Sequence, residues 1–193
     1  MDEHLWAPTP LDEACALMEP FGGRWWVSGG LALELFVGRS WRDHDDTDIG
    51  ILRRDAPHLR DHFDDWDIHV ASLGTLRPWG GEPLHGERDG NNLWCRPSVT
   101  DPWVLDVTLN AGNDECWISR RDPSWTVPWS AAVLSTDSGV PYLSPDLQLA
   151  FKSKNPRPKD HADAGKVIPE LTGPMKEVLG HRLPVEHPWQ TLL

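Results

Sequence analysis

Two aspartates separated by one residue, Asp46 and Asp48, are the first feature of this sequence that suggests chemistry. In a strand over 46–52 the side chains alternate, so both carboxylates project from one face. Like charges held so close repel one another unless a cation lies between them. Mg²⁺ commonly uses one or two carboxylates together with substrate phosphates. The pair therefore predicts a metal site, although a solvated strand end in an acidic chain has the same pattern.

A small-residue segment, Ser28-Gly29-Gly30, follows the apolar run 25–27 and precedes a helical run that ends at Gly38. Glycines let the backbone come close to a ligand, and the N–H groups at a helix start favour anions. The segment predicts a phosphate site in which Ser28 adds a hydroxyl. A plain tight turn is the alternative.

A third acid, Asp106, interrupts the apolar run Trp103 to Leu109. Such local conflicts with a strand pattern are often functional. Asp106 is therefore a candidate metal ligand or general base, or else a carboxylate on the solvated face of an edge strand.

Four basic residues fall within eight positions of an otherwise acidic chain: Lys152, Lys154, Arg157 and Lys159. Lys and Arg neutralise phosphates in phosphoryl transfer, and cations also favour a solvated helix C-terminus. We favour Lys152 and Lys159 as nucleotide contacts. Arg42, next to the paired aspartates, suits either a phosphate contact or a solvated loop. Asp160 and Asp163 are expected to pair with the bases.

The elements that must position these residues indicate an α/β or α+β fold with a mixed sheet. Helices are predicted at 11–18, 31–37, 57–63 and 144–154, with helix and then an irregular, Pro-rich chain after Pro158. Strands are predicted at 25–27, 46–52, 66–72, 93–96, 103–109 and 116–119. A hairpin is expected across 97–102, and an irregular segment from 76 to 91. We expect one domain, 1–193, with a core of about 10–155 and a C-terminal extension of about 156–193.

The composition narrows the class of partner. Lys and Arg total 18 against 30 Asp and Glu, which gives a formal charge of −12. Such a field repels nucleic acid and anionic membrane, and it attracts cations. The 3 cysteines form no CxxC pair, which indicates reduced thiols rather than a zinc site. The N-terminal ten residues do not resemble a signal peptide, and no apolar run is long enough to span a membrane. A cytoplasmic location is therefore expected.

The glycine pair, the polar loop, 44–49 and the later strand acid together resemble the nucleotidyltransferase superfamily that contains DNA polymerase β. More closely, 29–34 and 38–44 are similar to the aminoglycoside-2''-adenylyltransferase family. The similarity continues through 103–109, 142–145, Phe151-Lys152, 157–160 and 187–189, and so covers nearly the whole chain. Thr47 stands where the superfamily usually has an apolar residue, a change that leaves both carboxylates in place.

The resemblance implies a nucleotidyltransferase fold, a mixed sheet flanked by helices with a short helical or irregular C-terminal extension. It also implies transfer of a nucleoside monophosphate, AMP from ATP or another NTP, to a hydroxyl of a small, cationic acceptor such as an aminoglycoside. Asp46, Asp48 and Asp106 would bind two Mg²⁺ ions, with Asp106 also a candidate base, and Ser28, Gly29, Gly30, Arg42, Lys152 and Lys159 would contact the nucleotide. The short extension predicts an open acceptor cleft or one completed by a second subunit. A toxin-type enzyme acting on protein or RNA, and a catalytically silent nucleotide-binding module, are the alternatives.

Overall fold

A mixed β-sheet forms the centre of the molecule, and the computed structural model describes residues 5–193 apart from the side chains of Glu87 and Arg88. The strands are β1 Trp25–Val27, β2 Asp48–Leu52, β3 Asp67–Ser72, β4 Thr75–Pro78, β5 Asn92–Arg96, β6 Leu105–Gly112, β7 Cys116–Ile118, β8 Thr126–Pro128, β9 Val133–Ser135 and β10 Pro141–Leu143. Their order is β4-β3-β5-β6-β2-β1-β10-β9, and β7 pairs with both β6 and β8. The β2–β6 and β1–β10 pairs are parallel, whereas the other pairs are antiparallel. The predicted mixed sheet is therefore confirmed.

Helices cover the sheet on both faces, as the predicted fold class requires. They are α1 Leu11–Met18, α2 Gly29–Val37, α3 Ala56–His62, α4 Trp129–Ala132, α5 Pro145–Lys152, α6 Pro158–Val167 and α7 Gly173–Arg182. Helix α2 begins two residues before its predicted start, so the glycine pair forms its first turn. It ends at Gly38, which has a left-handed φ of 75° and donates its N–H to the carbonyl of Glu34. Ser144 and Pro145 start α5 as predicted.

Apolar packing on the two faces of the sheet fixes which side carries the polar residues. Ile49, Val107 and Leu93 are buried on one face together with residues of α1 and α3. A second cluster holds the C-terminal helices against α2 and α5 through Leu33, Leu149, Val167, Leu179 and Trp189. The opposite face carries a third apolar cluster that includes Trp26, Leu52 and Leu143, and Asp48 and Asp106 lie at one end of their strands on that face.

Two parts of the sequence-based prediction are wrong. Residues 76–78 were expected to be irregular, but they lie in β4, which pairs with β3 around a turn at Leu73 and Gly74. The segment after α6 contains a further helix, α7, where an irregular chain was expected. Cross-strand and helix–helix contacts decide both segments, because their Gly and Pro content alone favours loops.

Within residues 5–193 no helix is long and apolar enough to cross a membrane. The prediction that the N-terminal ten residues are not a signal peptide depends partly on residues 1–4, which lie outside the described residues. Cys15, Cys95 and Cys116 are unpaired.

Candidate active site

Three carboxylates meet at the ends of the parallel strands β2 and β6. Asp48 is the first residue of β2 and lies directly opposite Asp106 of β6 in the strand register. Asp46 precedes β2 by two residues, and Thr47 between the two acids is buried with its hydroxyl donating to the carbonyl of Thr9. One oxygen of each carboxylate lies within 4.8 Å of those of the other two. The structure thus brings together the three acids that the sequence singled out.

The electrostatics of this carboxylate cluster are unfavourable without a cation. Burial raises the pKa of Asp48 well above its usual value, and the charges of Asp106 and Asp46 raise it further. Burial likewise raises the pKa of Asp106 to about 7, although hydrogen bonds from Asn92 and Trp94 act in the opposite direction. A bound cation would favour the ionised form of both groups.

The cluster fits a magnesium site by its donor set and spacing. Mg²⁺ prefers hard oxygen ligands and is usually held by a few carboxylates plus substrate phosphates. Asp46, Asp48 and Asp106 supply such oxygens, and they form the one group of this kind among the described residues. Metal ligands in this protein would therefore be these three side chains.

The backbone of the glycine pair lies directly against Asp48. Gly29 has a left-handed φ of 67°, and a Cβ at this position would lie 2.8 Å from Cγ of Asp48 and closer still to Oδ2. The absence of a side chain lets the carboxylate and the start of α2 approach each other. The N–H of Ser28 donates to the carbonyl of Asp48 at 2.9 Å, which ties β1 to the acid. The predicted phosphate segment and the carboxylate cluster are thus in contact.

Two groups in this segment already have protein contacts. The N–H of Gly29 donates to Oε1 of Gln148 in α5 at 2.9 Å, a contact the sequence did not indicate. A Cβ on Gly30 would lie 2.9 Å from Cζ of Arg42, so this guanidinium packs against the helix start. A phosphate that used the Gly29 N–H would have to displace the amide of Gln148.

Arg42 is held by a buried acid rather than projecting into solvent. Its Nε and Nη2 donate to the two oxygens of Asp163 at 3.0 and 3.1 Å, and the Trp41 indole donates to the same carboxylate. Asp163 is fully buried in α6, and Glu34 in α2 accepts the backbone N–H of Trp41. Helices α2 and α6 therefore fix the loop that leads to Asp46. The expected pairing of Asp163 with a base of 152–159 is observed with Lys152 at 3.4 Å, Arg42 is an additional partner, and a phosphate role for Arg42 stays a prediction.

The two predicted phosphate lysines lie close to the carboxylate cluster. Lys152 Nζ lies 2.6 Å from Asp160 and 3.4 Å from Asp163, and it is almost wholly buried. Lys159 Nζ lies 2.8 Å from the exposed Asp45. The positive charges of both lysines oppose the rise in the pKa of Asp48 that burial causes. Each lysine is therefore within electrostatic range of the cluster.

A basic cavity of about 280 Å³ lies beside α5 and the loop after β7. Arg120 and Arg121 in that loop line it with Lys152, Lys154 and Arg157, against one acid, Asp160. The positive charge of Arg120 lowers the pKa of Asp106, which opposes the effect of burial, so Arg120 acts on the carboxylate cluster. Neither arginine was singled out from the sequence, although they form one of the two adjacent arginine pairs in this acidic chain.

A second cavity, the hairpin cavity, is lined in part by Asp106 and measures about 270 Å³. It is formed by 71–76 of the β3–β4 hairpin together with Asn92, Trp94 and Asp106. Asn92 donates to Oδ1 of Asp106 at 2.7 Å, and Trp94 lies opposite Asp106 in the β5–β6 register. Neither residue was singled out from the sequence.

Comparison with known proteins supports the family resemblance. Residues 11–78 match the model of the family described as aminoglycoside-2''-adenylyltransferase, so the predicted resemblance is confirmed over that segment. No curated protein matches the sequence.

Solved structures define the fold. The chain is similar to the lincosamide antibiotic adenylyltransferase LnuA in its lincomycin-bound form, with a TM-score of 0.58 and 17% identity, over 84% of this chain and 97% of LnuA. It is also similar to ANT(2'')-Ia in complex with adenylyl-2''-tobramycin, with a TM-score of 0.57 and 12% identity, over 89% of this chain and 94% of that protein. At these identities the similarity concerns the fold, and that fold is the one of the antibiotic nucleotidyltransferases.

Proposed function

We propose that this protein is a Mg²⁺-dependent nucleotidyltransferase that transfers AMP from ATP to a hydroxyl of a small acceptor and releases pyrophosphate. The observation that carries the proposal is the cluster of Asp46, Asp48 and Asp106, with oxygens within 4.8 Å of one another. The family model and the fold shared with two antibiotic adenylyltransferases support the same reaction class.

The two cavities beside the cluster suit the two substrates of such a reaction. The basic cavity matches the charge of a triphosphate, and its arginines and lysines would stabilise the pyrophosphate as negative charge moves onto it. The hairpin cavity contains Asp106 and is suited to the acceptor. On this proposal the acceptor hydroxyl attacks the α-phosphorus, the bond to the β-phosphate oxygen breaks, and pyrophosphate leaves.

Asp106 is the group best suited to take the proton of the acceptor hydroxyl. It is the one member of the carboxylate cluster that lines the hairpin cavity, so a hydroxyl bound there would lie beside its oxygens. Hydrogen bonds from Asn92 and Trp94 orient the carboxylate. Mg²⁺ held by the three acids would neutralise phosphate charge and lower the pKa of the attacking hydroxyl. Asp106 thus serves both as a ligand and as a proton acceptor in the proposal.

Several finer assignments belong to the same proposal. Gly29, Gly30 and Ser28 contact the phosphates, with Lys152 and Lys159 nearby. The whole of 1–193 acts as one domain in the cytoplasm, where NTP is supplied. The alternatives of protein or RNA modification, and of a silent module, have no specific observation in their favour.

The deciding experiment is an assay of pyrophosphate release by the purified protein. Each of the four NTPs is tested with Mg²⁺ and a panel of hydroxyl acceptors that includes lincomycin and tobramycin, and products are identified by mass. We expect one NTP and one acceptor class to give an adenylated or otherwise nucleotidylated product. Asp48→Asn, which preserves side-chain volume, is the matched control and should be inactive.

Binding gives a second and independent check. Mg²⁺ and ATP together should raise the melting temperature more than either alone, because the ligand set is complete only when both are present. No change in melting temperature with any NTP plus Mg²⁺, together with no pyrophosphate release, would contradict the proposed function.

A further inference from the structure

The hairpin cavity contains one charged residue, and this residue is Asp106. Its other lining residues, among those the structure describes, are neutral, and they include Leu73, Leu76, Asn92 and Trp94. If metal ions occupy the carboxylate cluster, the charge of Asp106 is already compensated. An ammonium group of a polyamine bound here would lose its hydration and gain no ion pair with a carboxylate. Burying a charge in this way is unfavourable. The overall charge of −12 does not change this, because exposed acids beyond about 8 Å are screened by salt.

A flat apolar wall stands beside Asp106 in the same cavity. Trp94 is held edge-on by Trp6 and Trp103, with ring centroids 5.0 and 5.8 Å away, so its indole has a fixed orientation. It lies opposite Asp106 in the strand register, and the two side chains therefore project from one face. An acceptor ring packed on Trp94 would carry its hydroxyl next to the carboxylate.

The rim of the cavity is also apolar. Leu73 lies in the β3–β4 turn with a left-handed φ of 50° and is fully exposed, which is unusual for a leucine. The volume of about 270 Å³ lies just below the range of small-molecule sites, roughly 300–1,000 Å³. The cavity therefore takes the reacting part of an acceptor, while the rest extends past Leu73.

We propose that the acceptor is a small amphipathic alcohol with at most one positive charge, which packs an apolar face on Trp94 and Leu73 and presents its hydroxyl to Asp106. This inference rests on the proposed function, and it departs from the cationic acceptor predicted from the net charge because it also admits a neutral alcohol. A polycationic aminoglycoside is the class it excludes.

The test measures acceptor binding by calorimetry with saturating Mg²⁺ but without nucleotide, so the charge of the carboxylate cluster is compensated and the outcome does not depend on catalysis. Lincomycin, an amphipathic alcohol with a single basic amine, should bind with an affinity that changes little between low and high salt. Tobramycin, a polyamine, should bind more weakly at physiological ionic strength. Trp94→Leu should weaken lincomycin binding about tenfold, since an aromatic contact of about 1.4 kcal/mol is lost.

Further variants separate stacking from the orientation of Asp106. Trp94→Phe keeps a flat apolar face but loses the indole N–H, so lincomycin binding should persist while kcat for transfer falls. Leu73→Asp adds a carboxylate at an exposed position, and should raise tobramycin affinity about two- to fivefold. Val185→Asp makes the same change of charge at an exposed apolar residue outside the cavity and should leave both affinities unchanged.

Two results would overturn the inference. One is tighter, strongly salt-dependent binding of tobramycin to the wild-type protein, and the other is lincomycin binding that is absent or is unchanged by Trp94→Leu. Pyrophosphate release with either acceptor would in those cases leave the proposed reaction intact. Conversely, Trp94-dependent binding of lincomycin without pyrophosphate release would contradict the proposed reaction alone.

Discussion

Replacing Gly29 by alanine should separate the backbone role of this glycine from its contact with Asp48. The new methyl group would lie 2.8 Å from Cγ of Asp48, whereas ordinary contacts begin near 3.4 Å. The carboxylate carbon must therefore move by at least about 0.6 Å, and Oδ2, which is closer, must move further. A misplacement of about 1 Å at a reacting centre can reduce the rate 100-fold. We expect a loss of about that size in kcat and weaker metal binding.

The control for backbone strain is Gly38→Ala at the end of α2. Gly38 also has a left-handed φ, of 75°, but a Cβ there would meet no atom within 4 Å. Both variants carry the strain of a left-handed alanine, roughly 1–2 kcal/mol. For a chain of this size each kcal/mol lowers the melting temperature by about 2–4 °C. Gly38→Ala should therefore melt earlier but keep its transfer rate.

The assay compares both variants with the wild-type protein in melting temperature, pyrophosphate release and Mn²⁺ binding followed by electron paramagnetic resonance. Gly29→Ala should lose activity and Mn²⁺ binding, and Gly38→Ala should lose only thermal stability. The reasoning would be refuted by a Gly29→Ala protein that binds Mn²⁺ and transfers AMP at the wild-type rate.

Three more predictions follow from the charges in the site. Asp48→Asn should abolish transfer yet leave the metal-free fold at least as stable by urea denaturation, because it removes a buried carboxylate repelled by its neighbours; unfolding of this variant would show that Asp48 is structural. The pKa of Asp106 rises from 3.8 unfolded to about 7 folded, so the folded state holds a proton that the unfolded state loses, and metal-free stability should fall as pH rises across that window. The raised pKa of Asp48 gives a slope of the same sign, so melting curves of Asp106→Asn should show a shallower slope rather than none, and an unchanged slope would contradict the shift. Lys152→Met should lower the free energy of unfolding by about 3 kcal/mol, because it leaves the buried carboxylates of Asp160 and Asp163 with less positive charge nearby. Lys159→Met should change the free energy of unfolding by less than about 1 kcal/mol and raise the KM for NTP. Equal KM values with and without Lys159 would show that it does not contact the nucleotide.

The sequence was sufficient to predict the three acids and the strands that carry two of them. Alternation over 46–52 predicted that Asp46 and Asp48 share a face, and Asp106 was noticed because it interrupts an otherwise apolar strand. Local patterns also located α1 and β1 correctly. The start of α2 was missed by two residues because glycine has a low helix propensity, which the packing of this helix overrides.

The surroundings of the acids could not be predicted, because they depend on which strands become neighbours. Asn92 and Trp94 reach Asp106 only because β5 lies beside β6, and Arg120 does so through the chain that follows β7. The contact of Gln148 with Gly29 joins residues 119 positions apart. The strands at 126–128, 133–135 and 141–143 are only three residues long, too short for a periodic signal.

The parallel pairing of β2 with β6 has a consequence for how the protein folds. Residues 53–104 separate the two strands in the sequence. Pairs of strands so far apart in the chain form slowly, because the entropy of closing the loop is lost before the contacts between the strands are gained. A nascent chain that ends before β6 contains Asp46 and Asp48 but has no third carboxylate for them. Metal ions that bind only the complete cluster should therefore act after this pair has formed. They should slow unfolding while leaving the folding rate nearly unchanged.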